Sequence, residues 1–286
     1  MNSVLMISGG TGFIGRSLLE ELKKRELGYK VFSFGRWNID VQQKFLIFAE
    51  DHKNCSWNII HLAGANVFAR LWTESYKKEL WESRIGTVKK IHHTLKSLNI
   101  IPEKIIGISA IGYYGNTEQI ADESTLPGED FLSRLCVNWE NAYREVSTEK
   151  SSLSILRLGV VMDKRGGAME KMMGPFGLGL MFLPGEGNFP LNWISLHDVI
   201  RIILAILNDS LPSGIYNLVN NSNDSYRTFA EKIKAKKNVW LPSFSIPLFS
   251  LKMIMGERLD VVVSKTKVIP KALNQLGFSF NENILC

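Results

Sequence analysis

The sequence predicts an α/β fold: a doubly wound parallel sheet, covered by helices on both faces, with a small C-terminal cap. Three observations carry this. Short apolar segments alternate with longer ones whose apolar residues recur at helical spacing. The first short segment, Val4-Leu5-Met6-Ile7, runs into Gly9-Gly10-Thr11-Gly12-Phe13-Ile14-Gly15 and then into a leucine-periodic stretch, Ser17-Leu18-Leu19-Glu20-Glu21-Leu22-Lys23-Lys24. Beyond Gly159 the composition turns to glycine and proline and ends in a Pro-punctuated tail.

Strand, glycine loop and helix in that order make the first turn of a Rossmann-like βαβ unit. Gly9 allows the tight turn, Gly12 lets the backbone approach a pyrophosphate, and Gly15 lets the helix pack on the strand. The N–H groups at the helix start, together with its dipole, favour phosphate. The spacing is G-x-x-G-x-x-G, not the G-x-G-x-x-G of the common dehydrogenases. A glycine trio alone is a weak signal; its place between strand and helix makes it a nucleotide site.

Lys30-Val31-Phe32-Ser33-Phe34 is a second strand, and Asn58-Ile59-Ile60-His61-Leu62 a further one ending in Ala63-Gly64-Ala65. From Thr73 to about Leu98 a helix carries Tyr76, Leu80, Ile85, Val88, Ile91 and Leu95 on its apolar side, until Pro102 stops the pattern. Lys104-Ile105-Ile106-Gly107-Ile108-Ser109 gives the next strand, Phe131–Glu149 a helix, and Leu153-Ser154-Ile155-Leu156-Arg157-Leu158 another strand. Near-continuous apolar strands of this kind argue for a parallel sheet buried on both faces. Glycines and prolines from about 166 to 192 read as a long irregular cover. A helix near Asp198–Leu207 and a strand at Ile215-Tyr216-Asn217-Leu218 come next. The organisation is therefore a nucleotide-binding domain over 1–220 and a small C-terminal domain over 238–286.

With 286 residues and 45% hydrophobic content, the chain can bury a core of this size. Its net charge of +6 comes from scattered Lys and Arg without a basic arm or stripe, which argues against nucleic acid as partner. Cys55, Cys136 and Cys286 form neither a disulfide framework nor a metal-ligand pattern, as expected in a reducing compartment. The five histidines show no metal-ligand spacing, so no metal is expected. The first strand begins by about Ser3, no apolar run has the length of a membrane span, and the terminal Cys286 does not make a prenylation box. These features predict a cytoplasmic protein with a small-molecule substrate and no membrane partner.

His61-Leu62-Ala63-Gly64, Trp72-Thr73-Glu74, Ser83-Arg84 and Ser109-Ala110-Ile111-Gly112-Tyr113-Tyr114-Gly115 succeed the glycine loop in order. Trp139-Glu140, Leu156-Arg157-Leu158-Gly159-Val160-Val161, Trp193-Ile194, Gly256-Glu257, Val268-Ile269-Pro270-Lys271-Ala272-Leu273 and Gly277-Phe278 complete the series. On these motifs the chain resembles an extended or atypical short-chain dehydrogenase/reductase, and more narrowly the epimerase-like family 39U with its C-terminal domain. The resemblance spans nearly the whole chain. It is specific for the family and far less so for a reaction.

Sites that prefer NAD carry an acid after the second strand, where it accepts from the ribose hydroxyls. Here Gly35 and Arg36 stand there, and a guanidinium can bind a 2′-phosphate bidentately. NADP(H) is therefore the preferred cofactor, as the resemblance also implies, while Asp40 a few residues on leaves NAD(H) open. Leu62 and Ala63 lie where the superfamily's Asn-Ala-Gly passes the adenosine side. By resemblance, Glu79 and Arg84 are cofactor-proximal and Val161 packs near the nicotinamide.

Short-chain reductases move a proton with a tyrosine whose pKa is lowered by a lysine four residues on. None of the seven tyrosines has such a lysine. Aligning Glu140 with the glutamate that usually succeeds the pair puts Leu132 at the tyrosine position and Cys136 at the lysine position. Ser109 is the candidate polar group at its strand end, and Tyr113 or Tyr114 the candidate proton donor. A phenol near its ordinary pKa of about 10 is a poor base at neutral pH, yet it can donate during a reduction. Ser195 is a second departure, where relatives tend to have histidine. Two function classes stay open: an NADP-dependent oxidoreductase or epimerase with a displaced tyrosine, or a cofactor-binding sensor or scaffold that has lost catalysis.

Overall fold

A computed structural model of the chain describes residues 3–164, 166–167, 181–236 and 243–281. Residues 168–180 of the expected glycine-rich cover, and parts of the tail, lie outside the described residues. The N-terminal half runs β1 (Ser3–Ser8), α1 (Phe13–Lys24), β2 (Lys30–Phe34), α2 (Ile39–Asp51) and β3 (Ser56–His61). It continues with α3 (Glu74–Trp81), α4 (Thr87–Ser97), β4 (Lys104–Ala110), β5 (Ile120–Ala121), α5 (Phe131–Val146) and β6 (Ser152–Leu158).

After β6 come β7 (Val160–Asp163), β8 (Gly166–Gly167), β9 (Met181–Pro184), β10 (Trp193–Ser195), α6 (Leu196–Leu207) and β11 (Ile215–Leu218). The tail holds α7 (Tyr226–Lys236), β12 (Ser243–Ile246), α8 (Leu248–Met255), α9 (Leu259–Val262), β13 (Lys267–Val268) and α10 (Lys271–Gln275). No helix among the described residues is long and apolar enough to cross a membrane.

The central sheet has six parallel strands in the order β11-β6-β4-β3-β1-β2. From β1 the chain steps outward to β2 and then returns to the other side of β1 as β3. That reversal creates the crevice in which open α/β sheets bind ligands, at the carboxyl ends of the strands. The register levels the rim: Ser8 lies opposite both Phe34 and His61. One edge therefore carries the starts of the glycine loop, the Gly35-Arg36 turn and the Leu62-Ala63 segment.

Side-chain alternation in β1 divides the core. Val4 and Met6 pack with Phe45, Ala49, Ile91 and Leu95 of α2 and α4, while Leu5 and Ile7 join the cluster that holds Leu18 and Leu22 of α1. The long helix expected over 73–98 is broken. Between α3 and α4 a π-turn, Glu82–Gly86, inserts one residue and rotates α4 relative to α3. The tail, expected to be helical, also contributes strands: β12 pairs with β9, and β13 with β5.

Candidate functional site

The glycine loop is built by contact rather than by its own hydrogen bonds alone. Gly9 has φ +75, which favours glycine, and an added Cβ would lie 2.6 Å from the Ala63 nitrogen. At Gly15 a Cβ would stand 2.4 Å from the Gly9 carbonyl oxygen, so only glycine lets α1 start this close to the loop. Gly12 caps α1 with no side-chain bond to the first-turn N–H groups, and no acid stands in that turn. A Cβ on Gly12 meets only the Gly9 oxygen, at 3.1 Å. The helix start therefore offers unblocked donors and a cradle that a side chain would fill, which fits a phosphate group. Thr11 is exposed and its carbonyl accepts from Arg16, while Phe13 and Ile14 pack half-buried against the core. Gly10 donates to the Phe34 carbonyl at 2.9 Å, tying the loop to β2.

Aromatic packing holds the turn after β2. The Phe34 and Trp37 rings are 5.2 Å apart, and Trp37 and Phe45 are 5.8 Å apart. Gly35 faces Thr11, whose hydroxyl would lie 2.7 Å from an added Cβ. Arg36 projects into solvent, 87% exposed, with Nη2 3.6 Å from Glu79 Oε1. The other Glu79 oxygen lies 3.3 Å from Arg70 Nη1.

Arg84 sits in the π-turn and closes the crevice from the β3 side. Its guanidinium donates to the Ala65 carbonyl at 3.0 Å and the Leu80 carbonyl at 3.1 Å, packs on Gly64, and lies 5.1 Å from the Trp139 ring centroid. No carboxylate among the described residues pairs with it, and burial lowers its pKa. Leu62 and Ala63 are half-buried against the glycine loop, and Val161 on β7 lies opposite Ile194 on β10.

A charged network lies farther along the same edge, at the carboxyl ends of β4 and β6. Ser109, 1% exposed, donates to Glu140 Oε1 at 2.9 Å. Glu140, itself 0% exposed, accepts from Arg157 Nε at 2.8 Å and Nη2 at 3.0 Å, and from Arg144 at 3.3 Å. Burial opposes the Arg157 charge, but the bonds from Glu140 outweigh it and raise its pKa. Arg157 also donates to the Tyr114 hydroxyl at 2.9 Å, which donates in turn to Asn217 at 2.7 Å. Burial pushes the Tyr114 phenol up to about 12.

Tyr113 is placed differently. The Arg157 Cζ lies over its ring, 3.5 Å from the centroid, and its hydroxyl has no hydrogen-bond partner among the described residues. Ser109 is thus joined to Glu140, and Tyr113 to Arg157. Cys136, on α5, is buried, and burial followed by the Glu140 charge pushes its thiol up to about 12. A thiol so placed is protonated and a poor nucleophile. Leu132 packs against Gly112. Ser195 caps α6, accepting from the Asp198 N–H at 3.0 Å and donating to its carboxylate at 2.8 Å.

Three features escaped sequence reasoning. The Glu140–Arg157 pair had a signal, since a lone arginine in an apolar strand demands a buried partner. Arg70 had none. The third is a buried histidine pair, His61 Nε2 to His92 Nε2 at 2.9 Å. Burial lowers the pKa of His61 well below 6.5 and that of His92 to about 4, so both are neutral at pH 7. Because the folded state resists a proton that the unfolded chain accepts near 6.5, stability is complete above that pH and falls toward 4. His92→Gln, which keeps a neutral partner for His61, should lower the slope of unfolding free energy against pH in that window by about 1.4 kcal/mol per unit. Equal slopes for parent and variant in chemical denaturation between pH 6.5 and 4.5 would refute this role.

No group of three or more metal-ligating side chains converges among the described residues. Residues 5–218 match the NAD dependent epimerase/dehydratase family. A chloroplastic epimerase family protein SDR39U1 homolog of Arabidopsis thaliana is 28% identical over 291 residues, covering 96% of this chain and 82% of that protein. The crystal structure of human epimerase family protein SDR39U1 (isoform 2) with NADPH superposes with a TM-score of 0.82 at 24% identity, covering 98% of this chain and 95% of that one. UDP-glucuronic acid 4-epimerase from Bacillus cereus, in complex with UDP-glucuronic acid and NAD, gives a TM-score of 0.76 at 16% identity, with 98% and 95% covered. The chain belongs to the NAD dependent epimerase/dehydratase family.

Proposed function

We propose that this protein binds NADP(H) across the rim of β1, β2 and β3, and acts on a small carbonyl substrate as an oxidoreductase or epimerase-like enzyme. The observation that carries the reading is the unblocked start of α1 behind Gly12, with Gly35-Arg36 and no acid at the end of β2. Gly9, Gly10, Thr11, Gly12, Phe13, Ile14 and Gly15 would hold the pyrophosphate, and Arg36 the 2′-phosphate. Leu62, Ala63 and Glu79 would line the adenosine side, and Val161 the nicotinamide. When bound, the nicotinamide supplies or accepts hydride. Related structures contain NADPH or NAD, which supports a nicotinamide cofactor and is compatible with either one.

The proton is assigned to Tyr113. Tyr114 is committed on both sides of its hydroxyl, and the Cys136 thiol keeps its proton. Ser109 acts through Glu140, which fixes Arg157 and with it the Tyr113 ring. Arg84 supplies positive charge on the side of Cys136, where relatives place a lysine. The test is a panel of carbonyl compounds and nucleotide sugars screened for NADPH oxidation, with stopped-flow kinetics on the compound that reacts. General-acid help is worth about a hundredfold or more, so Tyr113→Phe should lower kcat at least about tenfold, while Cys136→Ala is nearly neutral. Turnover that survives Tyr113→Phe and vanishes in Cys136→Ala rules this assignment out.

A second reading is favoured by one observation, the packed Leu132 and Cys136 in place of a tyrosine and lysine. In it the protein binds NADP(H) as a sensor or scaffold. Tight NADPH binding with no oxidising compound in the panel would select it.

A further inference from the structure

Glu79 joins two arginines that reach it from different loops. Its Oε1 lies 3.6 Å from Arg36, on the turn after β2, and its Oε2 lies 3.3 Å from Arg70, on the segment between β3 and α3. We propose that Arg70 is a second ligand of the 2′-phosphate, so that two guanidiniums, not Arg36 alone, distinguish NADP(H) from NAD(H). The proposal rests on the cofactor reading above and adds the residue that completes the seat.

Four arguments support it. The cluster carries two positive charges and one negative, so its net charge is positive at the end of β2, where an NAD-preferring site would present an acid. Both guanidiniums are open to solvent, 87% exposed for Arg36 and 71% for Arg70, and each holds planar donors not used by Glu79. Arg70 is steered rather than loose. Its Cζ lies 5.6 Å from the Tyr76 ring centroid, and the Tyr76 hydroxyl is anchored on the Asn66 carbonyl at 2.5 Å. Finally, exposed ion pairs contribute little to stability, so either arginine can exchange a carboxylate oxygen for a phosphate oxygen at small cost. A phosphate dianion, with more charge and three oxygens, is the better match for two forks.

The experiment is isothermal titration of the full chain with NADPH and, separately, NADH, for the parent, Arg70→Ala, Arg70→Lys and Arg36→Ala. Loss of one charge-assisted fork should lower NADPH affinity in Arg70→Ala about tenfold and change NADH affinity less than about twofold. Arg70→Lys should recover only part of the loss, since it keeps the charge without the fork. The exposure of Arg70 makes unchanged melting temperatures the expected control. A parent that prefers NADPH, with Arg36→Ala losing that preference and Arg70→Ala keeping it, overturns this proposal and leaves the cofactor reading intact. A parent that binds neither nucleotide overturns both.

Discussion

Gly12→Val is expected to abolish binding of both NADPH and NADH while the protein stays folded. Gly12 has φ −77 and ψ 177, extended backbone that valine adopts readily, and an added Cβ meets only one carbonyl oxygen at 3.1 Å. The γ carbons would then occupy the space over the N–H groups that begin α1. Gly15→Val is the contrasting control. Its Cβ would fall 2.4 Å from the Gly9 oxygen and 2.6 Å from Gly10 Cα, so that variant loses the fold of the loop itself. Thermal unfolding separates the two. A ligand at a hundred times its Kd stabilises the parent by about 2.7 kcal/mol, a shift the Gly12 variant should lack. If that variant melts like the parent and still gains stability from saturating NADPH, the glycine loop is not the site.

Legibility in the sequence depends on whether the cause is local. Gly9 and Gly15 declare themselves because positive φ and close backbone approach exclude other residues at those positions, whatever the rest of the chain does. The strands of the sheet are equally legible, since strands buried on both faces read as apolar runs. The helix over 73–98 reads as continuous because all but one of its apolar steps are three or four residues. Yet the step from Leu80 to Ile85 is five residues, and the π-turn absorbs that extra residue there. The step also swings Arg84 onto the Ala65 carbonyl.

Non-local arrangements are beyond that reach. Ser109 reads as a pocket hydroxyl because it ends a strand, but its partner, Glu140, comes from a helix on which it looks like any other polar position. Resemblance puts Glu79 near the cofactor, and nothing in its own segment indicates that Arg36 and Arg70 converge on it.

Arg157→Met should be the most destabilising single substitution within the charged network, and the reason lies in the charge it leaves behind. Arg157 is 1% exposed and Glu140 0%, so neither charge has water to fall back on. Removing one partner of a buried pair strands the other, a loss of about 3 to 5 kcal/mol. Arg144 keeps a contact at 3.3 Å with Glu140, which places the loss toward the lower end of that range. Glu140→Gln leaves Arg157 with its cation on the Tyr113 ring and its bond to Tyr114, so it should cost less than Arg157→Met. The double variant should be more stable than Arg157→Met alone, because no uncompensated carboxylate remains. Chemical denaturation of the parent, both single variants and the double closes the cycle. A loss below about 1 kcal/mol in Arg157→Met, or a double variant as unstable as the sum of the singles, would refute the stranded-charge account. The same substitution removes the surface on which Tyr113 lies. An Arg157→Met protein that folds at reduced temperature should therefore keep NADPH affinity while losing turnover, which separates the network beneath the tyrosine from the rim that holds the cofactor.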